Sequence, residues 1–278
     1  MITGLDHMAM AVFDLASASR DYQAMFGRAP SWSGQLDGAD HVWFQFPHMG
    51  LDLVSPVGPG AQGAAVQAHL ETSGEGLMAM GFRVEELASA GQLATRRGLD
   101  TVAHLGVCPD RPALALDPAQ TGGIEIRLVA GDSPALSGPL VAGESAISDL
   151  DHVVISTPNP DRVLAIYGAR LGLDLRLDRT NPAWGARQIF FRCGGLVLEI
   201  VTGLADETGQ GPDTFGGLAW QARVADPVQA RLVSLGLNVS EVRNGRKPGT
   251  RIFTLRAGVV SAPTVVLQQN ADPTGAAE

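Results

Sequence analysis

Gly4-Leu5-Asp6-His7-Met8-Ala9-Met10-Ala11-Val12-Phe13-Asp14-Leu15 comes back half a chain later as Asp149-Leu150-Asp151-His152-Val153-Val154-Ile155-Ser156-Thr157-Pro158-Asn159-Pro160. Each copy opens a short apolar run with Asp-His and places an Asp or Asn seven residues past the His, where it can cap a helix. Side chains alternate along a strand, so His7 shares a face with Ala9 and Ala11, while Met8, Met10 and Val12 point the other way. His152 shares its face with Val154 and Ser156 in the same manner. A polar residue among small ones, backed by an apolar face, predicts a strand between a helix-packed layer and a cavity.

Outward from the first copy, Asp14 caps a predicted helix whose buried face is Leu15, Ala18, Tyr22, Met25 and Phe26, with Gly27 as its stop. Strands are expected at 28–36, 41–46 and 50–54, with Asp52 on the face of Gly50 and Val54, and a Gly/Pro-rich loop at 55–65. A second unit repeats the order: strand 77–84, helix 86–97, strands 113–116 and 123–129, with Glu125 beside Gly123 and Arg127 on one face. A Gly/Pro/Ser-rich run at 131–146 reads as a linker. The third unit carries His152, a helix capped by Asn159 with Pro160 at its first position, and Glu199 opposite Leu198 and Ile200. The fourth has a strand at 218–224, a helix capped by Asp226-Pro227, and strands near 239–243, 251–255 and 264–268. Seven residues back from the four helix caps stand His7, Ala79, His152 and Ala219. Strand carboxylates follow three of these at closely similar intervals, as Asp52, Glu125 and Glu199.

Composition narrows the function. The chain is 45% hydrophobic and 18% charged over 278 residues, which fits two globular domains with real cores. A net charge of −9 argues against nucleic acid or an anionic membrane as partner, because both demand basic surface. Cys108 and Cys193 provide neither a disulfide framework nor zinc-type spacing. With no signal-type N-terminus and no apolar run of about 20 residues, the expected location is cytoplasmic.

The fourfold strand-cap-helix register, with Gly50-Leu51-Asp52-Leu53-Val54 and Leu196-Val197-Leu198-Glu199-Ile200, resembles the vicinal oxygen chelate superfamily. That group includes glyoxalases, methylmalonyl-CoA epimerases, fosfomycin- and bleomycin-resistance proteins and extradiol dioxygenases. The resemblance implies an α+β fold of four βαβββ modules in two glyoxalase-like domains, each a cupped mixed sheet with helices on its outer face. Domain 1 would be 1–130 (modules 1–55 and 75–130) and 131–147 the linker. Domain 2 would be 148–270 (modules 148–203 and 214–270), with a disordered tail at 271–278.

The resemblance also implies a divalent metal, Fe, Mn, Ni, Co or Zn. The implied ligands are His7, Asp52 and Glu125 in the first domain and His152 and Glu199 in the second, with Gln268 as a further candidate. Such an ion would bind two substrate oxygens and stabilise an enolate, with Glu125 or Glu199 as the base. The resemblance therefore implies a lyase or isomerase acting on a small oxygen-bearing substrate. Where the superfamily's metal enzymes carry a second His, this chain has Ala79 and Ala219, which weighs against the two-His, one-carboxylate iron site of a ring-cleaving dioxygenase. The competing function is a metal-free protein that sequesters a drug or metabolite. Set against any site role, Glu125–Arg127 and Glu199–Arg192 read as structural ion pairs, Trp43, Trp184 and Trp220 as core or rim rather than the lining of an aromatic-substrate pocket, and His41, His48, His69 and His104 as surface or loop residues. Either function leaves room for a homodimer.

Overall fold

In β1 (Ile2–Ala11), Met8 and Met10 enter the main core and Ala9 and Ala11 the opposite face, the alternation expected from the repeat. The computed structural model describes residues 1–104, 106, 111–141, 143–206, 209–256 and 260–269. The first domain continues through α1 (Leu15–Phe26), β2 (Trp32–Leu36), β3 (Ala39–Gln45), β4 (Gly50–Pro56), α2 (Ala61–Ser73), β5 (Gly76–Val84), α3 (Leu87–Arg96), β6 (Thr101–His104), β7 (Ala113–Leu116) and β8 (Glu125–Val129). The second holds β9 (Ile147–Ser156), α4 (Pro160–Val163) with a π-helical extension (Leu164–Arg170), β10 (Asp174–Asn181), β11 (Ala186–Cys193), β12 (Leu196–Gly203), β13 (Thr214–Ala222), α5 (Ala225–Ser234), β14 (Arg243–Asn244), β15 (Thr250–Leu255) and β16 (Thr264–Gln269).

The described residues form two eight-stranded mixed sheets with matching orders, β2-β3-β4-β1-β5-β8-β7-β6 and β10-β11-β12-β9-β13-β16-β15-β14. In each, the leading strands of the two modules pair antiparallel at the centre, and each lies parallel to the last strand of its own module. This is the expected α+β architecture of paired βαβββ modules. Asp14, Glu86 and Asn159 cap their helices as the sequence predicts, through bonds from Ser17 N, from Ala88 N and Ser89 N, and from Arg162 N. Asp226 differs. It lies inside the first turn of α5, paired with Arg251, and Val224 takes the cap position.

Three elements depart from the sequence reading, one of them β6, a strand at a position where none is expected. The strand expected near 239–243 is reduced to an isolated bridge at Val239 and the two-residue β14. More consequentially, the loop region after β4 contains a thirteen-residue helix, α2. It packs against the concave face of the first sheet, where Val66 and Leu70 meet Ala9, Ala11, Val54, Met78 and Ala79. Not all helices therefore lie on outer faces. Alanines around α2 blur any apolar stripe, which hides the helix from a periodicity search. The expectation for the tail beyond 270 concerns residues outside the described set.

The outer faces of the two sheets share one core. The ring of Phe26 on α1 lies 4.7 Å, centroid to centroid, from tilted Trp220 of β13, and both lie 4.9 Å from the Phe46 ring. Arg231 of α5 donates to the Ala24 and Met25 carbonyls at the end of α1, complementing the negative end of that helix from the other domain. Trp43 and Trp220 are fully buried, whereas Trp184 is exposed between the guanidinium groups of Arg179 and Arg246. Trp220→Ala is expected to cost about 3–5 kcal/mol, as for other buried aromatics. Hydrogen exchange should then show protection falling in β1 as well as β9; loss confined to the second sheet would contradict a shared core.

Candidate functional site

The floor of the first cup is a row of facing residues across four strands: Asp52 (β4), Ala9 (β1), Ala79 (β5) and Glu125 (β8), with Trp43 of β3 beside Asp52. Next to it lies a row through Gln45, Gly50, His7, Gly81 and Arg127. Beneath α2 these rows open into a cavity of about 210 Å³ whose polar walls are His41, Asp52, Gln62, His104, Glu125 and Arg127. Val54, Val66, Met78, Ala61, Ala65 and Ala103 complete the lining.

Asp52 is fully buried and engages the ring of His41, with Nδ1 at 3.1 and 3.0 Å from its two carboxylate oxygens. A carboxylate only accepts, so Nδ1 carries the hydrogen and the neutral ring presents a lone pair at Nε2. That Nε2 is buried and has no hydrogen-bond partner. Burial by itself depresses the His41 pKa, but the charge of Asp52 and its hydrogen bond to the ring outweigh it, so the net shift is upward.

His104 stands on the same cavity in the opposite condition. Its pKa is pushed down to about 4, first by burial and then by the positive charge of Arg127. Gly106 N donates to His104 Nδ1 at 3.1 Å, so the neutral ring carries its hydrogen on Nε2 and offers a donor. Gln62 of α2 donates to the Gly106 carbonyl at 2.7 Å, which ties the covering helix to this imidazole.

The expected metal ligands do not come together. Glu125 is bridged to Arg127, with Nε at 2.8 Å and Nη2 at 2.7 Å from Oε1, which is the structural ion pair set against a ligand role. His7 directs Nδ1 to Asp6 at 2.9 Å, and Asp52 is taken by His41. Three interstrand steps of about 4.8 Å separate Asp52 from Glu125 along the sheet, with alanines between. Among the described residues no three His, Cys, Asp or Glu side chains are grouped to hold a metal ion. A donor set in which Arg127 pairs with Glu125 and the His41 ring N–H occupies Asp52 does not fit a divalent cation.

In the second domain His152 and Glu199 do meet, Nε2 to Oε2 at 3.3 Å, but the carboxylates around them are already engaged. Asp151 takes His152 Nδ1 at 2.7 Å and the amides of Gln221 and Gln269 at 2.8 and 2.6 Å. Gln188, not Arg192, donates to Glu199 at 2.8 Å. Gln268 points to the outer face, where its Oε1 accepts from Ala225 N at 2.9 Å at the start of α5.

Against the expectation of surface or loop positions, His41 and His104 both line the cavity. The strand containing His41 is legible, and alternation puts His41, Trp43 and Gln45 on one face. What brings His41 to Asp52 is the β3–β4 pairing register. His48 and His69 differ again: His48 is more than half exposed and pairs with the buried Asp149 across the domains, while His69 lies on α2.

No family profile matches the sequence, and no curated protein matches it either. Solved structures do. A triple mutant of 4-hydroxymandelate synthase from Streptomyces coelicolor is similar at 14% identity and a TM-score of 0.73, over 97% of this chain and 94% of that one. The Mn(II)-bound glyoxalase from Novosphingobium aromaticivorans is similar at 13% identity and a TM-score of 0.67, over 96% and 82%. A halotolerant catechol dioxygenase gives 13% and 0.64, over 96% and 87%. This chain shares with them a two-domain fold of paired βαβββ modules. Among the described residues no helix is long and apolar enough to cross a membrane.

Two outcomes are expected. Elemental analysis of purified protein should find no stoichiometric transition metal, and a stoichiometric metal lost in His7→Ala would refute the reading of these donor sets. Asp6 loses solvation on burial, yet bonding and charge from His7 and Arg111 bring its pKa down to about 2. Its contribution is complete above the ordinary aspartate pKa and lost as pH falls toward 2, so Asp6→Asn should cost about 3–5 kcal/mol in denaturant titrations at pH 7. The difference from wild type should shrink in acid.

Proposed function

We propose that the chain is a metal-independent enzyme of isomerase or lyase type. Its reaction would be proton transfer next to a carbonyl of a small oxygen-bearing molecule held under α2. The observation that supports this reading is the buried, unpartnered Nε2 of His41, backed by Asp52 and facing the same cavity as a neutral His104. Two groups whose surroundings drive their pKa values apart mark a division of acid–base roles.

Neutral His41 takes the carbon-bound proton at Nε2. Asp52, bonded to Nδ1, fixes the ring and stabilises the imidazolium that forms. His104 donates Nε2–H to the substrate oxygen as negative charge develops there, and its low pKa keeps it neutral and ready to do so. The cavity is closed on one side by α2, so the developing enolate is shielded from water. Arg127 holds Glu125 and keeps His104 deprotonated, a positioning role.

Proton exchange tests this whatever the final product is. Small ketones, aldehydes and oxo acids are incubated with the protein in D2O, and loss of the carbon-bound proton is followed by NMR. Exchange is expected for at least one compound, unaffected by a chelator. The base must be neutral, so the rate should rise with pH and level off above a pKa higher than that of ordinary histidine. His41→Gln should lower the plateau roughly 10²- to 10⁴-fold, and Asp52→Asn should both lower it and move the inflection to lower pH. Thermal stabilisation by a compound without any exchange would favour the sequestering function.

A further inference from the structure

A second cavity, of about 360 Å³, lies at the C-terminal end of α2, where the first cup meets the second domain. His69 and Ser73, one helical turn apart on α2, stand on one wall. Gly74, in the left-handed region at φ 75°, ends the helix, and Glu75 then reaches the second domain, where Ser261 Oγ donates to its Oε2 at 3.0 Å. Ser261 and Thr214, the first residue of β13, form the facing wall. Met78 of β5 lines both this cavity and the one under α2. Electrostatics joins the two as well, since the charge of Glu125, a wall of the first, acts on His69, a wall of the second. Methionine is unbranched with three rotatable bonds, a partition that a ligand can displace.

The polar groups of the second cavity are of one kind. Among the described residues no lysine or arginine lines it. Burial holds the His69 pKa below that of ordinary histidine, against the opposing pull of Glu125, so at pH 7 the ring is neutral and carries one donor and one acceptor. Both oxygens of Glu75 are engaged, Oε1 by Phe13 N at 2.7 Å and Oε2 by Ser261. The Thr214 hydroxyl and the His69 ring make no hydrogen bond to another described residue. An anion would find no counter-charge here and would face the Glu75 carboxylate. A hydroxyl, which donates and accepts at once, matches every one of these groups.

We propose that this second cavity is the specificity pocket of the site under α2, receiving the uncharged, hydroxylated chain of a polyhydroxy carbonyl compound whose carbonyl lies between His41 and His104. The inference deepens the functional reading above, and its placement of the carbonyl rests on that reading. It names the substrate class, sugar-like ketones or aldehydes, and it excludes their phosphate esters. A volume of about 360 Å³ is within the range of small-molecule sites. The second domain then takes part in recognition through Thr214 and Ser261, while the reacting carbon is met by residues of the first domain alone.

Saturation-transfer NMR of the full chain titrated with erythrulose, an uncharged trihydroxy ketone, tests this beside erythrulose phosphate and butanone, which has the same carbon chain without hydroxyls. Wild type is expected to bind erythrulose saturably and each of the other two about tenfold more weakly or worse. The double variant His69→Leu, Thr214→Val removes two hydrogen-bonding groups and should weaken erythrulose binding about tenfold or more, with circular dichroism checking that it is folded. In D2O, its preference for exchanging erythrulose over butanone should fall by the same factor. Erythrulose binding without exchange in wild type would sink the catalytic reading and leave the pocket standing, and exchange of butanone without erythrulose binding would do the reverse. Absence of saturable erythrulose binding in wild type, tighter binding of the phosphate ester, or unchanged affinity in the double variant overturns the proposal.

Discussion

Helix α2 can lie on the concave face of the first sheet only because the central strands present alanine there. Ala9, Ala11 and Ala79 give the helix a close approach, and Val66 and Leu70 fill the space that larger strand residues would occupy. That packing turns an open cup into a closed cavity. It also carries Gln62 to Gly106, and through Gly106 it fixes which nitrogen of His104 bears the hydrogen. An imidazole at position 79 would stand where the helix rests, so a metal ligand and this covering helix compete for the same volume.

Polar groups on the two concave faces are neutralised in different ways. In the first domain rings and guanidinium groups meet carboxylates: Arg127 holds Glu125, the His41 ring bonds Asp52, and the His7 ring and Arg111 bond Asp6. In the second, amides of Gln188, Gln221 and Gln269 saturate the carboxylates around His152. A saturated amide network is stable but offers little to a reactant. The first domain instead leaves individual ring and guanidinium nitrogens unmatched, and such unmatched groups are where chemistry or binding can begin.

The fold is legible in the chain because period-two alternation and helix caps are local. Asp14, Glu86 and Asn159 announce their helices, and the repeat around His7 and His152 announces the module. The site is only half legible, because it depends on pairing. Asp52 and Glu125 follow their module starts at nearly equal intervals, yet the strands set Glu125 opposite Ala79 and Asp52 opposite Ala9, so the relation that carries His7 to Ala79 carries Asp52 to Arg127. Bulges in the β1–β5 ladder break the simple proportion between sequence interval and position in the sheet. Likewise His104 ends a four-residue strand, too short to show a period, and α2 is masked by its own alanines.

The core that runs through Phe26, Phe46 and Trp220 has a consequence for how such a chain can change over generations. Each half supplies apolar surface that the other half covers, and Arg231 reaches across to finish a helix it does not belong to. A half that has lost its chemistry therefore cannot be shed, because its departure would strip the working half of its interior. The second domain, with its saturated network, can persist as ballast that holds the first in shape. Its open face is then released from catalytic constraint and left to vary on a scaffold that must stay.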